Sequence, residues 1–190
     1  MCGIVGFSSH TRSAVAPLLN GLRRLEYRGY DSAGVALESP DGLFVCKCKG
    51  KVAELARELA AKLNEGQKAS YKLGIAHTRW ATHGLPTEVN AHPQLADGGN
   101  LALVHNGIIE NYAALRAKLE QRGCVFVSQT DTEVLAHLIA TFDKGDFLSA
   151  VTQALKQVRG TYGIAVLSRR HPGEMIVARC GSPLVVGVGE

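Results

Sequence analysis

The chain has 190 residues, of which 46% are hydrophobic, 20% charged and 6% aromatic, the balance of one globular domain with ample length to bury a core. The net charge of +4 is mild and the basic residues are scattered rather than massed in a stripe, which argues against nucleic acid as a partner. The apolar runs are too short to span a bilayer and no charged segment leads into an apolar one at the N-terminus, so the five cysteines (Cys2, Cys46, Cys48, Cys124, Cys180) are expected as reduced thiols in a cytoplasmic protein.

In chain order, Gly3 to Phe7 reads as a short buried strand. Ser13 can cap a helix whose apolar stripe is Val15, Leu18, Leu19, Leu22 and Leu25, with Arg23 and Arg24 suited to the negative pole of its dipole. Glu26 to Ser32 is too polar and too broken by glycine for a core element. Ala33 to Leu37 and Leu43 to Cys48 form a hairpin about Ser39-Pro40-Asp41-Gly42. Alternation puts Cys46 and Cys48 on one strand face as packing groups, at the wrong spacing for a zinc knuckle or redox pair. Val52 to Leu63 is a helix ended near Gly66, and Leu73 to Thr78 a further strand.

From Arg79 to about Asn100 neither period holds, and so long a loop is a lid, a binding loop or disordered. Its Trp80, the chain's sole tryptophan, stands beside Arg79, which argues against idle disorder. Leu101 to His105 is a strand running into Asn106-Gly107, first read as a tight turn. Asn111 caps a helix through Leu119, and Val125 to Ser128 is a strand. Thr130 to Glu133 starts a helix carrying Val134, Leu135, Leu138 and Ile139, and Phe147 to Val158 is another. Strands at Tyr162 to Leu167, Met175 to Ala178 and Leu184 to Val188 complete the chain. Hairpin-length strand groups between amphipathic helices, with no βαβ repeat, predict α/β layers built on antiparallel sheets.

Cys2 is the residue with the most chemistry to offer. A methionine before so small a residue is normally trimmed, which would give one residue both a thiol and a free α-amine of pKa about 7.7–8.0. A nucleophile beside a base of matched pKa is what acyl transfer needs. The plainer reading is a buried, inert cysteine on an apolar strand.

Five segments carry a resemblance: Cys2-Gly3-Ile4-Val5-Gly6, Arg24 to Gly34, Ala76 to Gly84, Val104 to Asn111, and Gln129-Thr130-Asp131-Thr132-Glu133. In order and over almost the whole chain they resemble the glutaminase domain of the glucosamine-6-phosphate synthase family, within the class II glutamine amidotransferases. Arg28-Gly29-Tyr30-Asp31-Ser32 and Trp80-Ala81-Thr82-His83-Gly84 favour this branch over sister families. The resemblance implies an αββα sandwich of the N-terminal nucleophile hydrolase type that splits glutamine into glutamate and ammonia. It implies that the ammonia aminates fructose 6-phosphate on fused or separate sugar-phosphate isomerase domains, absent from residues 1–190, in a homodimeric whole protein. The glutaminase domain of relatives extends past Glu190, so the chain is expected to be incomplete at its C-terminus.

In that frame Cys2 is the nucleophile on glutamine, its α-amine the proton acceptor and later donor. Asn106, through its side-chain amide, and Gly107, through its backbone N–H, resemble the oxyanion donors. A turn would explain Asn106-Gly107 alone, but not its company with Cys2. Arg79 suits the substrate carboxylate better than a lysine would, and Asp131 is the candidate for its ammonium, although a helix cap explains Asp131 too. Thr82 and His83 would add hydrogen bonds from the loop. The resemblance sets Arg28 and Gly29 beside the nucleophile and gives Trp80 a gate over ammonia passage, where the plainer role is an anchor packed on the core. His77, His92 and His105 are read as structural, and no metal or cofactor is called for. Two rival readings are a silent glutamine-sensing domain, against which Cys2, Arg79, Asn106, Gly107 and Asp131 stand together, and the glutaminase of a sister amidotransferase.

Overall fold

The computed structural model describes residues 2–80 and 84–189, which form two antiparallel four-stranded sheets. The first joins β1 (Gly3–Ser8), β2 (Ser32–Ser39), β3 (Gly42–Lys49) and β4 (Leu73–Arg79) in the order β1-β4-β2-β3. The second runs β5 (Gln94–Ala96), β6 (Leu101–Ile109), β7 (Gly160–Ser168), β8 (Met175–Cys180).

Alternation along each strand divides the apolar residues between two faces. Ala33, Val35 and Leu37 of β2 bury against Leu18 and Leu22 of α1 (Val15–Leu25) and Leu55 and Leu59 of α2 (Val52–Lys62). Between the sheets, Ala36, Leu73 and Ile75 meet Ala102, Val104, Ala165 and Leu167. Beyond the second sheet, Leu103, Ile109, Ile164 and Val166 pack with Leu115 of α4 (Tyr112–Glu120), Leu135 of α5 (Asp131–Phe142) and Phe147 of α6 (Phe147–Leu155). Three apolar interfaces between four layers make the expected αββα sandwich.

Several local expectations change. A six-residue helix, α3 (Glu65–Ser70), follows α2, started by a capping box between Asn64 and Gln67. Ser13 precedes the Ala14 cap position of α1 and uses its hydroxyl to hold Lys68 O at 2.6 Å. Val125 to Ser128 is not a strand: the amides of Val127 and Ser128 donate to the Glu133 carboxylate at 2.8 and 2.6 Å, and Val125 and Val127 face solvent. Leu184 to Val188 is likewise unpaired among the described residues, with Val185 and Val188 exposed. β-Branched residues favour a strand only where a neighbouring strand offers partners. Helix α6 stops at Leu155, short of Val158.

Candidate active site

The register of β1 against β4 sets Gly3 opposite Thr78, which brings Cys2 to the end of β4. There its Sγ accepts the Trp80 N–H at 3.2 Å and lies 3.6 Å from Trp80 O. Burial pushes the Cys2 thiol up, against the Trp80 amide and the Arg79 charge, which lower it. The resting sulfur is therefore a thiol, and an attack by it requires a base.

The backbone that holds Cys2 is itself held. A Cβ at Gly29 would come within 2.9 Å of both Arg79 C and Trp80 N, so the segment after the 3₁₀ turn Glu26–Arg28 approaches this closely only without a side chain. The Asp31 N–H then donates to Arg79 O at 3.0 Å. This puts Gly29 against the Arg79–Trp80 peptide whose amide meets the Cys2 sulfur, with Arg28 one residue earlier at the end of the 3₁₀ turn. Trp80 rests edge-on against Tyr30, with ring centroids 5.4 Å apart.

The other half of the site comes from the second sheet. Asn106 and Gly107 are not a turn. They lie inside β6, opposite Gly163 and Tyr162 of β7. Gly107 has φ +136°, and a Cβ there would fall 2.0 Å from Thr161 O, so a side chain is excluded. Asn106 Nδ2 donates to Cys2 O at 3.1 Å, across the gap between the sheets. Its Oδ1 faces His77 Nε2 at 3.0 Å, and that nitrogen also faces His105 O at 3.1 Å.

Arg79 is buried and its Nη1 donates to Leu85 O at 3.4 Å. Burial lowers its pKa, opposed by Cys2 when it is a thiolate and by the Asp31 and Asp131 carboxylates. Asp131 opens α5, but Thr130 is the cap, accepting Glu133 N–H at 3.3 Å. The Asp131 Oδ2 accepts from Ile109 N at 2.9 Å, which ties α5 to β6 just beyond Asn106. Cys2, Arg79, Asn106, Gly107 and Asp131 thus gather at one end of the sandwich. Thr82 and His83 lie outside the described residues.

Three contributors escaped the sequence reading. His77 is one, and the alternation that sets it on the face of Leu73 and Ile75 was a usable signal. The others are Asn90 and Gln129: Gln129 N donates to Asn90 Oδ1 at 2.9 Å, and Asn90 Nδ2 to Gln129 Oε1 at 3.1 Å and Leu85 O at 3.0 Å. This interlock fastens the aperiodic segment to the start of α5. Cys46 and Cys48 are buried, as expected, and burial pushes Cys48 up to about 11. An outer groove of about 390 Å³, lined by Leu19, Ala56 and Leu59 among others, includes none of the site residues.

A family model described as a glutamine amidotransferase domain matches residues 77–187. Over its whole length the chain is 54% identical to the glutamine–fructose-6-phosphate aminotransferase (isomerizing) of Thermus thermophilus, covering 30% of that protein. It is 55% identical to the protein of the same name from Bacteroides thetaiotaomicron, covering 31% of it. Among solved structures, the glutamine phosphoribosylpyrophosphate amidotransferase of B. subtilis superposes with a TM-score of 0.76 at 29% identity, over 94% of this chain and 37% of that one. A glutamine aminotransferase class-II domain protein from Silicibacter pomeroyi shares the fold at 18% identity and a TM-score of 0.55, over 82% of this chain and 71% of that one. The chain spans about 30% of the length of the curated relatives it matches.

Proposed function

The chain belongs to the glutamine amidotransferase family, and on that premise we propose that it hydrolyses the side-chain amide of glutamine through a thioester on Cys2. The ammonia released would aminate fructose 6-phosphate on a sugar-phosphate isomerase domain outside residues 1–190, the reaction that the names of the relatives describe. One observation carries the reading: the Asn106 carboxamide donates to the backbone of Cys2 at 3.1 Å. An amide donor tied to the residue that carries the sulfur supports its role as a donor to the oxyanion of a carbonyl attacked there.

Once Met1 is removed, the α-amine of Cys2 takes the thiol proton as the sulfur bonds to the amide carbon. The carbonyl electrons move onto oxygen, where Asn106 Nδ2–H and Gly107 N–H receive them. The C–N bond then breaks, the ammonium returns its proton to the leaving nitrogen, and ammonia departs from a thioester. Water, deprotonated by the same amine, attacks the thioester to release glutamate and restore the thiol. Arg79 pairs with the substrate α-carboxylate and Asp131 with its α-ammonium, the Asp131 Oδ2 meanwhile bound to Ile109 N. Thr82 and His83 extend the contacts to glutamine, Arg28 and Gly29 hold the Trp80 backbone against the sulfur, and Trp80 gates the ammonia exit.

The test is covalent. A glutamine-like electrophile should modify Cys2 alone among the five cysteines, read by peptide mass spectrometry. Intact mass should show activity confined to molecules that have lost Met1. Equal labelling of Cys124 or Cys180, or full activity in a sample retaining Met1, would overturn the mechanism.

A further inference from the structure

His77 is fully buried on β4, on the face that carries Leu73 and Ile75 toward the second sheet. Its Nε2 faces two oxygens, Asn106 Oδ1 at 3.0 Å and His105 O at 3.1 Å. His105 O is a backbone carbonyl with no hydrogen to give, so the Nε2 must carry the proton and donate whichever way Asn106 is flipped. Burial drives the His77 pKa down to about 3, which keeps the ring neutral. Among the described residues its Nδ1 is buried without a hydrogen-bond partner, and the His92 ring packs against the His77 ring at 4.3 Å between centroids. Among the described residues its hydrogen bonds therefore run through Nε2.

The consequence falls on Asn106. A carboxamide has two flips, and oxygen and nitrogen exchange places between them. With Nε2–H of His77 fixed as a donor, the flip that turned the Asn106 NH₂ toward it would set donor against donor. The flip that remains gives Oδ1 to His77 and turns Nδ2 to Cys2, where one hydrogen meets Cys2 O at 3.1 Å. The second hydrogen of the same NH₂ is the one that the proposed mechanism gives to the substrate oxyanion.

We propose that His77 is the positioning residue of the oxyanion hole: its Nε2–H locks the Asn106 carboxamide in the one flip that presents N–H to the substrate. This deepens the glutaminase reading above and rests on it. His77 touches no reacting atom. Its effect reaches the reaction through Asn106, and so belongs to turnover rather than to glutamine binding.

The experiment is a double-mutant cycle in the whole protein, read as kcat and KM for glutamine hydrolysis. His77→Leu, of similar bulk but without a donor, should lower kcat roughly 10- to 100-fold while KM moves less than about threefold. His77→Gln, which restores an N–H, should recover part of that loss. In an Asn106→Ala background His77→Leu should change kcat by less than about twofold, because the group it positions is gone. Losses that multiply in the double variant would make His77 a structural residue and overturn the proposal. Normal kcat in Asn106→Ala would instead remove the oxyanion reading itself, so the two failures are distinct. If His77→Leu does not fold, ¹⁵N shifts of the native imidazole decide: protonated Nε2 and bare Nδ1 support the assignment, and the opposite tautomer overturns it.

Discussion

The two ends of the inter-sheet space are built from the same strands and differ in one respect. At one end β4 supplies Leu73 and Ile75 and β6 supplies Ala102 and Val104, a buried apolar contact. At the other, the next residues of the same faces are His77 and Arg79 on β4 and Asn106 on β6. The alternation never breaks. Only the chemistry of the side chains changes, over one residue pair on each strand. The apolar end can hold the sheets together through area removed from water, so the polar end is free to hold groups that are costly to bury. It holds them by hydrogen bonds that cross between the sheets, His77 to Asn106 and Asn106 to Cys2.

That division predicts that substitutions at the polar end change kinetics and those at the apolar end change stability. The largest effect is expected at Asn106. Asn106→Ala should cut kcat roughly 10²–10³-fold with glutamine binding nearly unchanged, since an oxyanion donor acts on the transition state. Arg79→Ala and Asp131→Asn should raise KM more than they lower kcat, because contacts to the α-carboxylate and α-ammonium exist before and during the reaction. Steady-state kinetics separate the two patterns. If Asn106→Ala raised KM and spared kcat, the polar end would be a binding site without an oxyanion hole.

The polar end should also carry a cost of its own, visible in acid. Burial lowers His77 from 6.5 to about 3 and His92 well below 6.5. The unfolded chain binds these protons near pH 6.5 while the folded chain refuses them, so the unfolded state gains protons as pH falls. Stability is full above pH 6.5 and should decline below it by about 1.4 kcal/mol per pH unit for each histidine. Urea midpoints at pH 7, 6 and 5 measure the slope. A flat profile over that interval would mean that these rings are solvated or already charged.

Much of this division was legible in the sequence, because it obeys local rules. The hairpin about Pro40 and Asp41, the packing role of Cys46 and Cys48, and the strands that became β4 and β6 all follow from period and turn chemistry. The gathering of Cys2, Arg79, Asn106 and Asp131 came from segment resemblance, and the structure brings these residues to one place. What was not legible depends on partners far along the chain. Val125 to Ser128 has strand composition, yet its amides go to Glu133. Asn111 does start α4, but its side chain reaches Arg159 N and Gln157 O instead of the helix amides. His77 read as structural because nothing local shows that its neighbour across the gap is Asn106. The Asn64 and Gln67 pair that begins α3 was a local signal that went unused.

The smallest effect, and the one that most directly probes the separation of the two ends, belongs to Ile75. It is fully buried in the inter-sheet contact, on the face of His77 and one alternation before it. Ile75→Val removes one methylene and keeps the β-branched shape, so the cost should be about 0.5–1.5 kcal/mol of unfolding free energy. The backbone pairing of Ile75 with Gly6 of β1 and Ala36 of β2 does not involve the lost group. That ladder fixes β4 up to Arg79, so His77 and Arg79 should keep their places and kcat should stay within about twofold. Chemical denaturation and a glutaminase assay on the same preparation give both numbers. A tenfold fall in kcat with this small loss of stability would show that packing at the apolar end sets the position of Asn106 against Cys2, and that the two ends act as one device.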